Sequence, residues 1–285
     1  MTALSALHGH QITEGTTVDC TGHWTEMGKQ WAKWCWDHYG HGPEDLYGAI
    51  RDSCDFYFYH VGYLLYKAGG ERLQKTARAF GFGQESGIDL PGELAGRVPD
   101  PAWKNSYFQN YPEMQAWNPG DSVNMAIGQG DLLVTPLQLA DCYAGIANGG
   151  KVMRPHILKQ VLDAEGKPVL KYQPKVAYDS KYSASDLAAV RSGLLAVTQT
   201  GTGKGAFSGF PIEVAGKTGT AQVAGKDDYA WFVGFAPANN PKYAVAVMVE
   251  QGGHGGSVAG PAARQIFAAL LGQKVEHVSA TDASR

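Results

Sequence analysis

The stretch Glu213-Val214-Ala215-Gly216-Lys217-Thr218-Gly219-Thr220-Ala221-Gln222 begins like a strand and then changes character. After Val214 and Ala215 come a cation, two hydroxyls and a second glycine. Glycine inside a strand weakens it and lets another backbone come close. One reading is a sheet edge that offers its main-chain groups to a substrate, with Lys217 and the hydroxyls of Thr218 and Thr220 placed for a carboxylate. The competing reading is a Gly-Thr turn between two strands. The residues around the stretch have to choose between them.

Downstream, residues 229–238 and 243–250 are apolar strand candidates joined by Asn239-Asn240-Pro241, a turn signal, which predicts an antiparallel hairpin. With 212–222 they make three strands, followed by a helix over 257–271. Upstream, a helix over 183–198 is opened by the serine cap of Ser185-Asp186. Residues 151–178 read as short strands and turns, with Gly166-Lys167-Pro168 as a hairpin tip. Helical periodicity covers 44–69 and 71–82, and Thr135-Pro136 starts another helix that ends at Asn148-Gly149-Gly150. Five prolines (Pro91, Pro99, Pro101, Pro112 and Pro119) make 83–124 mostly loop. Residues 1–8 read as a helix entered without a cap, which hints at residues upstream. Helices first, then a sheet, then a closing helix predict an α+β unit.

The 285 residues carry a net charge of −3, which argues against nucleic acid as a partner. No run of about 18 apolar residues exists, so nothing reads as a membrane span. The first residues have neither the basic region nor the apolar run of a signal peptide.

Two constellations could carry chemistry. Ser53-Cys54-Asp55 stands at the start of a strongly helical run. A hydroxyl and a carboxylate two residues apart suit a proton relay, although serine and aspartate at a helix start are more often caps. Cys20, Cys35 and Cys54 fall close together in sequence, with His38 and His41 among them. Cys20, Cys35, His41 and Cys54 supply three thiolates and an imidazole, enough for a closed tetrahedral zinc site, with His38 as the alternative imidazole. The rivals are a disulfide, which would leave one cysteine over, and plain buried thiols. Cys142, alone in an apolar helical stretch, reads as a core residue.

Taken together, the motifs resemble the transpeptidase domain of class B penicillin-binding proteins, above all the penicillin-binding protein 2 group. The resemblance covers residues 1 to about 271. It rests on Ser53-Cys54-Asp55, on Gly87-Ile88-Asp89-Leu90-Pro91-Gly92-Glu93, on Gly128-Gln129-Gly130, and on Thr135-Pro136-Leu137-Gln138. Further along it rests on Asn148-Gly149-Gly150, on Ala215 to Gln222, and on Glu250-Gln251-Gly252-Gly253-His254-Gly255-Gly256.

It implies a penicillin-binding transpeptidase and serine β-lactamase-like fold: an antiparallel sheet flanked by helices, with a mainly helical subdomain. Residues 1–272 would be a partial transpeptidase domain, incomplete at the N-terminus, and 273–285 a flexible tail. By resemblance Ser53 passes a proton, Asp55 holds the relay and a substrate amide, and Lys217 maintains the proton network. Thr218, Gly219 and Thr220 hold the substrate, and the Thr220 N–H is half of an oxyanion hole. Some members of the group carry a metal cluster in the loop holding these cysteines, which favours a structural zinc. No cofactor is implied for catalysis.

The family's nucleophile motif, Ser-x-x-Lys, occurs nowhere in the chain. Met1 to Leu7 matches the continuation of the helix that this motif opens, so the nucleophile is expected just before Met1. The resemblance implies a peptidoglycan D,D-transpeptidase that cross-links stem peptides during elongation and is acylated by β-lactams. It implies a membrane glycosyltransferase as partner and, for the full-length parent, a place on the periplasmic side of the inner membrane. Without a serine nucleophile the chain alone is expected to be inactive. The alternatives are a non-catalytic fragment or pseudoenzyme binding module and, further off, a serine β-lactamase.

Overall fold

The computed structural model describes residues 1–275. The part of the expected tail beyond residue 275 lies outside the described residues. The chain opens with α1 (Thr2–His8). Four short strands follow as two antiparallel ribbons: β1 (Val18–Cys20), β2 (His23–Trp24), β3 (Lys33–Trp34) and β4 (Gly42–Glu44), paired β1 with β4 and β2 with β3. Then come α2 (Leu46–Arg51), α3 (Asp55–Ala68), α4 (Arg72–Ala79), α5 (Pro101–Tyr107), α6 (Pro119–Ala126) and α7 (Pro136–Ala147). Two more ribbons are built from β5 (Lys151–Met153), β6 (Gln160–Leu162), β7 (Pro168–Lys171) and β8 (Val176–Asp179), paired β5 with β8 and β6 with β7. The last part holds α8 (Ala184–Gln199), α9 (Lys204–Phe207), β9 (Ala215–Ala221), β10 (Tyr229–Ala236), β11 (Tyr243–Val249) and α10 (Ala259–Leu270).

The main sheet runs β11-β10-β9, antiparallel throughout, so β9 is an edge strand. Alternation sends successive side chains into two different cores. Phe232, Val245 and Val247 face α9 and α10, where they meet Phe207, Ala263 and Phe267. Ala215, Phe235 and Ala244 face the larger core, which includes Leu194 and Val197 of α8 and extends into the helical region. The paired glycines Gly216 and Gly234 are steric necessities at this junction. A Cβ on Gly216 would lie 2.5 Å from the Phe232 ring, and one on Gly234 would lie 2.7 Å from the Ala215 carbonyl.

In the helical region α3 packs on α6, close enough that a Cβ on Gly62 would meet Ala126 at 2.6 Å. Thr2 of α1 donates a buried hydrogen bond to the Ala126 carbonyl at 2.7 Å. As the sequence suggests, no side chain caps the start of α1.

Four expectations need correction. The helical stretch 44–69 is two helices, broken at Ser53, whose φ of 56° is left-handed. Its unbroken apolar periodicity hides the break, because a single left-handed residue leaves no trace in the pattern. The loop assigned to 83–124 contains α5 and α6, and two of the prolines taken as breakers sit in their first turns, where a missing N–H costs nothing. Ser183, not Ser185, caps α8 by accepting from the Asp186 N–H. The opening stretch is strand over Ala215–Ala221 only, and the Gly-Thr turn reading falls with it.

Candidate active site and cysteine cluster

Lys217, Thr218, Gly219 and Thr220 lie in the middle of β9, paired with Val233, Phe232, Trp231 and Ala230 of β10. Lys217 shares a sheet face with Ala215, toward the helical region. Its ammonium donates to the Ser53 hydroxyl and, at 3.0 Å, to the Thr218 carbonyl. Sheet and helical region thus meet at Lys217 and Ser53, which are 164 positions apart.

Ser53 sits in the break between α2 and α3, and Asp55 is the first residue of α3. The Asp55 carboxylate accepts the Trp36 N–H at 3.1 Å. Burial pushes Asp55 up to about 6, with Lys217 opposing the shift. Burial pulls Lys217 down to about 8, with Asp55 opposing. The two groups therefore hold a carboxyl and an amine whose proton affinities are close together, beside a hydroxyl that can give or take a proton. Groups so matched are suited to passing a proton between them. The sequence reading of Ser53, Asp55 and Lys217 as one group holds in space. One Asp55 carboxylate oxygen is thus occupied by the Trp36 backbone.

The three residues expected to hold a substrate differ in their surroundings. The carbonyls of Thr218 and Thr220 take hydrogen bonds from Lys217 and Gln129, not from β10. In a strand the N–H and C=O of one residue point to the same side. The Thr220 N–H therefore also points away from β10, to the side from which Gln129 approaches. Gly219 lies under the loop after β11: a Cβ on Gly255 would come within 2.4 Å of the Gly219 carbonyl. The Thr218 hydroxyl, expected to meet a carboxylate, hydrogen-bonds at 2.6 Å to the Thr202 hydroxyl. Thr202, between α8 and α9, has no place in the motifs above. Its one sequence signal is the repeated Thr-Gly of Thr200-Gly201-Thr202-Gly203. His254 borders an open depression with Lys226, Asp227, Asp228, Gln251, Gly252 and Gly253, a lining that includes none of Ser53, Asp55 and Lys217.

The cysteine cluster adjoins the relay. Cys20, Cys35 and Cys54 are buried free thiols. Their sulfurs and a His41 ring nitrogen all lie within 4.8 Å of one another. His41 Nδ1 is 3.6 Å from both Cys20 Sγ and Cys35 Sγ. A tetrahedron with metal–sulfur bonds of about 2.3 Å has edges of about 3.8 Å, so the donor spacing suits zinc. Donor chemistry agrees, since three sulfurs and an imidazole nitrogen are the set that zinc prefers. Cys35 is held below the usual thiol range, to about 5, chiefly by a hydrogen bond from Cys54. His38 is not in the group; it lies against Trp34, ring centres 5.0 Å apart. Cys54 also caps α3, its sulfur accepting the Tyr57 N–H at 3.5 Å. Cys142 is buried in the core of the helical region, as expected.

Fold and site together define a penicillin-binding transpeptidase domain, and the profile of that family, the penicillin binding protein transpeptidase domain, matches residues 1–268. The chain belongs to this family. Among curated proteins it is similar to the peptidoglycan D,D-transpeptidases MrdA of Haemophilus influenzae, 35% identical over 97% of this chain and 44% of the relative, and of Acinetobacter baumannii, 36% identical over 91% and 39%. Among solved structures it resembles Pseudomonas aeruginosa PBP2 in complex with WCK 5153, with a TM-score of 0.82 and 34% identity over 100% of this chain and 62% of that one. It also resembles PBP2 from Helicobacter pylori in complex with MreC, with a TM-score of 0.79 and 36% identity over 95% and 48%. The chain thus spans less than half the length of the curated relatives it matches.

Proposed function

We propose that this chain is the substrate-holding and proton-relay part of a serine D,D-transpeptidase that cross-links peptidoglycan stem peptides. The observation that carries the reading is the contact of Lys217 with Ser53 across the cleft beside Asp55, with the Thr220 N–H pointing away from β10. In this reading a serine nucleophile that these 285 residues do not supply attacks the penultimate D-Ala carbonyl. The carbonyl oxygen becomes negative and is held by the Thr220 N–H and the N–H of the nucleophile itself. Ser53, bonded to Lys217, carries the proton to the departing D-Ala amine. The same path in reverse takes a proton from the acceptor amine of a neighbouring stem. β-Lactams would acylate the same serine.

Cys20, Cys35, His41 and Cys54 would hold a structural zinc that ties the ribbon region to the start of α3. By family likeness the full-length protein would sit on the periplasmic side of the inner membrane and work with a membrane glycosyltransferase. Among the described residues no helix is long and apolar enough to cross a membrane.

Labelling with a fluorescent penicillin tests the reading. The chain from Met1 onward should not label, while the same protein extended upstream through the nucleophile motif should label covalently and lose the label when that serine becomes alanine. Labelling of the chain from Met1 onward, or none with the extended protein, would refute the assignment.

A further inference from the structure

The Gly128-Gln129-Gly130 turn lies between α6 and α7, and nothing in the relay uses it. Yet the Gln129 side chain crosses to the sheet and donates from Nε2 to the Thr220 carbonyl at 3.2 Å. Thr220 is on the free edge of β9, and its N–H and C=O form the donor and acceptor pair that an extended peptide laid along the edge would use. The acceptor half of that pair is already taken.

We propose that Gln129 is a latch: its carboxamide stands where a substrate's own amide N–H would bond, and the substrate must displace it to lie along β9. The inference rests on the transpeptidase reading and specifies how its cleft is entered. Three features of the turn suit a displaceable group. Gln129 is only half-buried. The glycines on either side have φ of 77° and 76°, a conformation that leaves the turn free of Cβ strain, and a Cβ on Gly128 would meet nothing within 4 Å. The turn is held from behind, not from the cleft, because the Gln129 N–H bonds to the Asn124 carbonyl at 3.0 Å and the Asn124 side chain accepts from Lys33 at 2.7 Å. The side chain can therefore swing without moving α6.

Acylation rates of the nucleophile-bearing protein test the latch, with two ligands. One is a penicillin with an acylamino arm, whose N–H would take the Thr220 carbonyl. The other is the bare penicillin nucleus, which has no such amide. Gln129→Ala removes the latch; Gln129→Glu keeps its size and removes the donor. Both should accelerate acylation by the acylamino penicillin about three- to tenfold, the worth of one hydrogen bond, and leave the bare nucleus unchanged. An unchanged or slower rate with the acylamino penicillin overturns the latch. So does an equal effect on both ligands, since that would mark Gln129 as support for β9. If the wild-type protein is not acylated at all, it is the transpeptidase reading that fails.

Discussion

Lys217 is placed where burial favours the neutral amine and the Asp55 carboxylate favours the ammonium. The balance leaves it near 8, against an ordinary 10.5. Below pH 8 both folded and unfolded chains hold the proton, and the folded state carries the whole penalty of the buried charge. Between 8 and 10.5 the unfolded chain binds more protons, so stability rises with pH; above 10.5 the penalty is gone. Lys217→Met removes it at every pH. The variant should therefore melt at or above the wild type near neutrality, with a margin that shrinks as the pH approaches 10.5. Its penicillin acylation, measured in the nucleophile-bearing protein, should fall about 100-fold or more with the loss of the proton network. A margin that widened with pH would mean that the ammonium stabilises the fold.

At the scale of elements, the motifs that single out the family do two kinds of work, and the sequence does not distinguish them. Gln138 completes a capping box with Thr135 at the start of α7. Fully buried, it also donates to the carbonyls of Gln84 and Ala95, both at 2.8 Å. Glu93 accepts from the Ser86 and Gly87 N–H groups, and Asp89 from those of Ile157 and Leu158. These side chains replace a missing ladder: the irregular segment between α4 and α5 is held by carboxylates and an amide. Gln138→Ala should cost about 2–4 kcal/mol, because two partly buried carbonyls lose their donor and a cap is lost as well. Denaturant melts would show the loss, while the acylation rate of the folded fraction should stay unchanged. A loss under about 0.5 kcal/mol would mean that water replaces the amide.

The same contrast explains what was legible. Lys217-Thr218-Gly219-Thr220 could be read because a strand with two glycines and a lysine has few structural excuses. The three strands and the closing helix followed from alternation and turn residues. Thr202, Gln129 and Trp36 reach the site only through tertiary contact. Trp36 holds Asp55 with its backbone N–H and bonds the Asp52 carbonyl through its indole at 2.9 Å, and neither bond has a sequence signature. The break at Ser53 was hidden because the apolar pattern of α2 runs on into α3.

At the scale of the whole molecule, Ser53 is tied to distant parts of the chain in two ways: directly to Lys217 on the sheet, and through its neighbour Cys54 to Cys20, Cys35 and His41. Cys20 ends β1, Cys35 follows β3, His41 precedes β4 and Cys54 caps α3. The ribbons that bring three of these donors in are two or three residues long. Such ribbons are marginal alone, so a metal would supply the cross-link that their ladders cannot. The purified protein should contain about one zinc per chain by elemental analysis. Cys35→Ser should abolish it, and Cys142→Ser should leave it intact, since Cys142 lies outside the cluster. Stripping the metal should lower the melting temperature by several degrees, as expected for a ligand that binds only the folded state. It should also slow acylation of the nucleophile-bearing protein, because Ser53 then loses its tie through Cys54. A metal-free protein whose melting temperature is unaffected by chelator would remove zinc from the account and leave the cluster as a thiol network packed under α3.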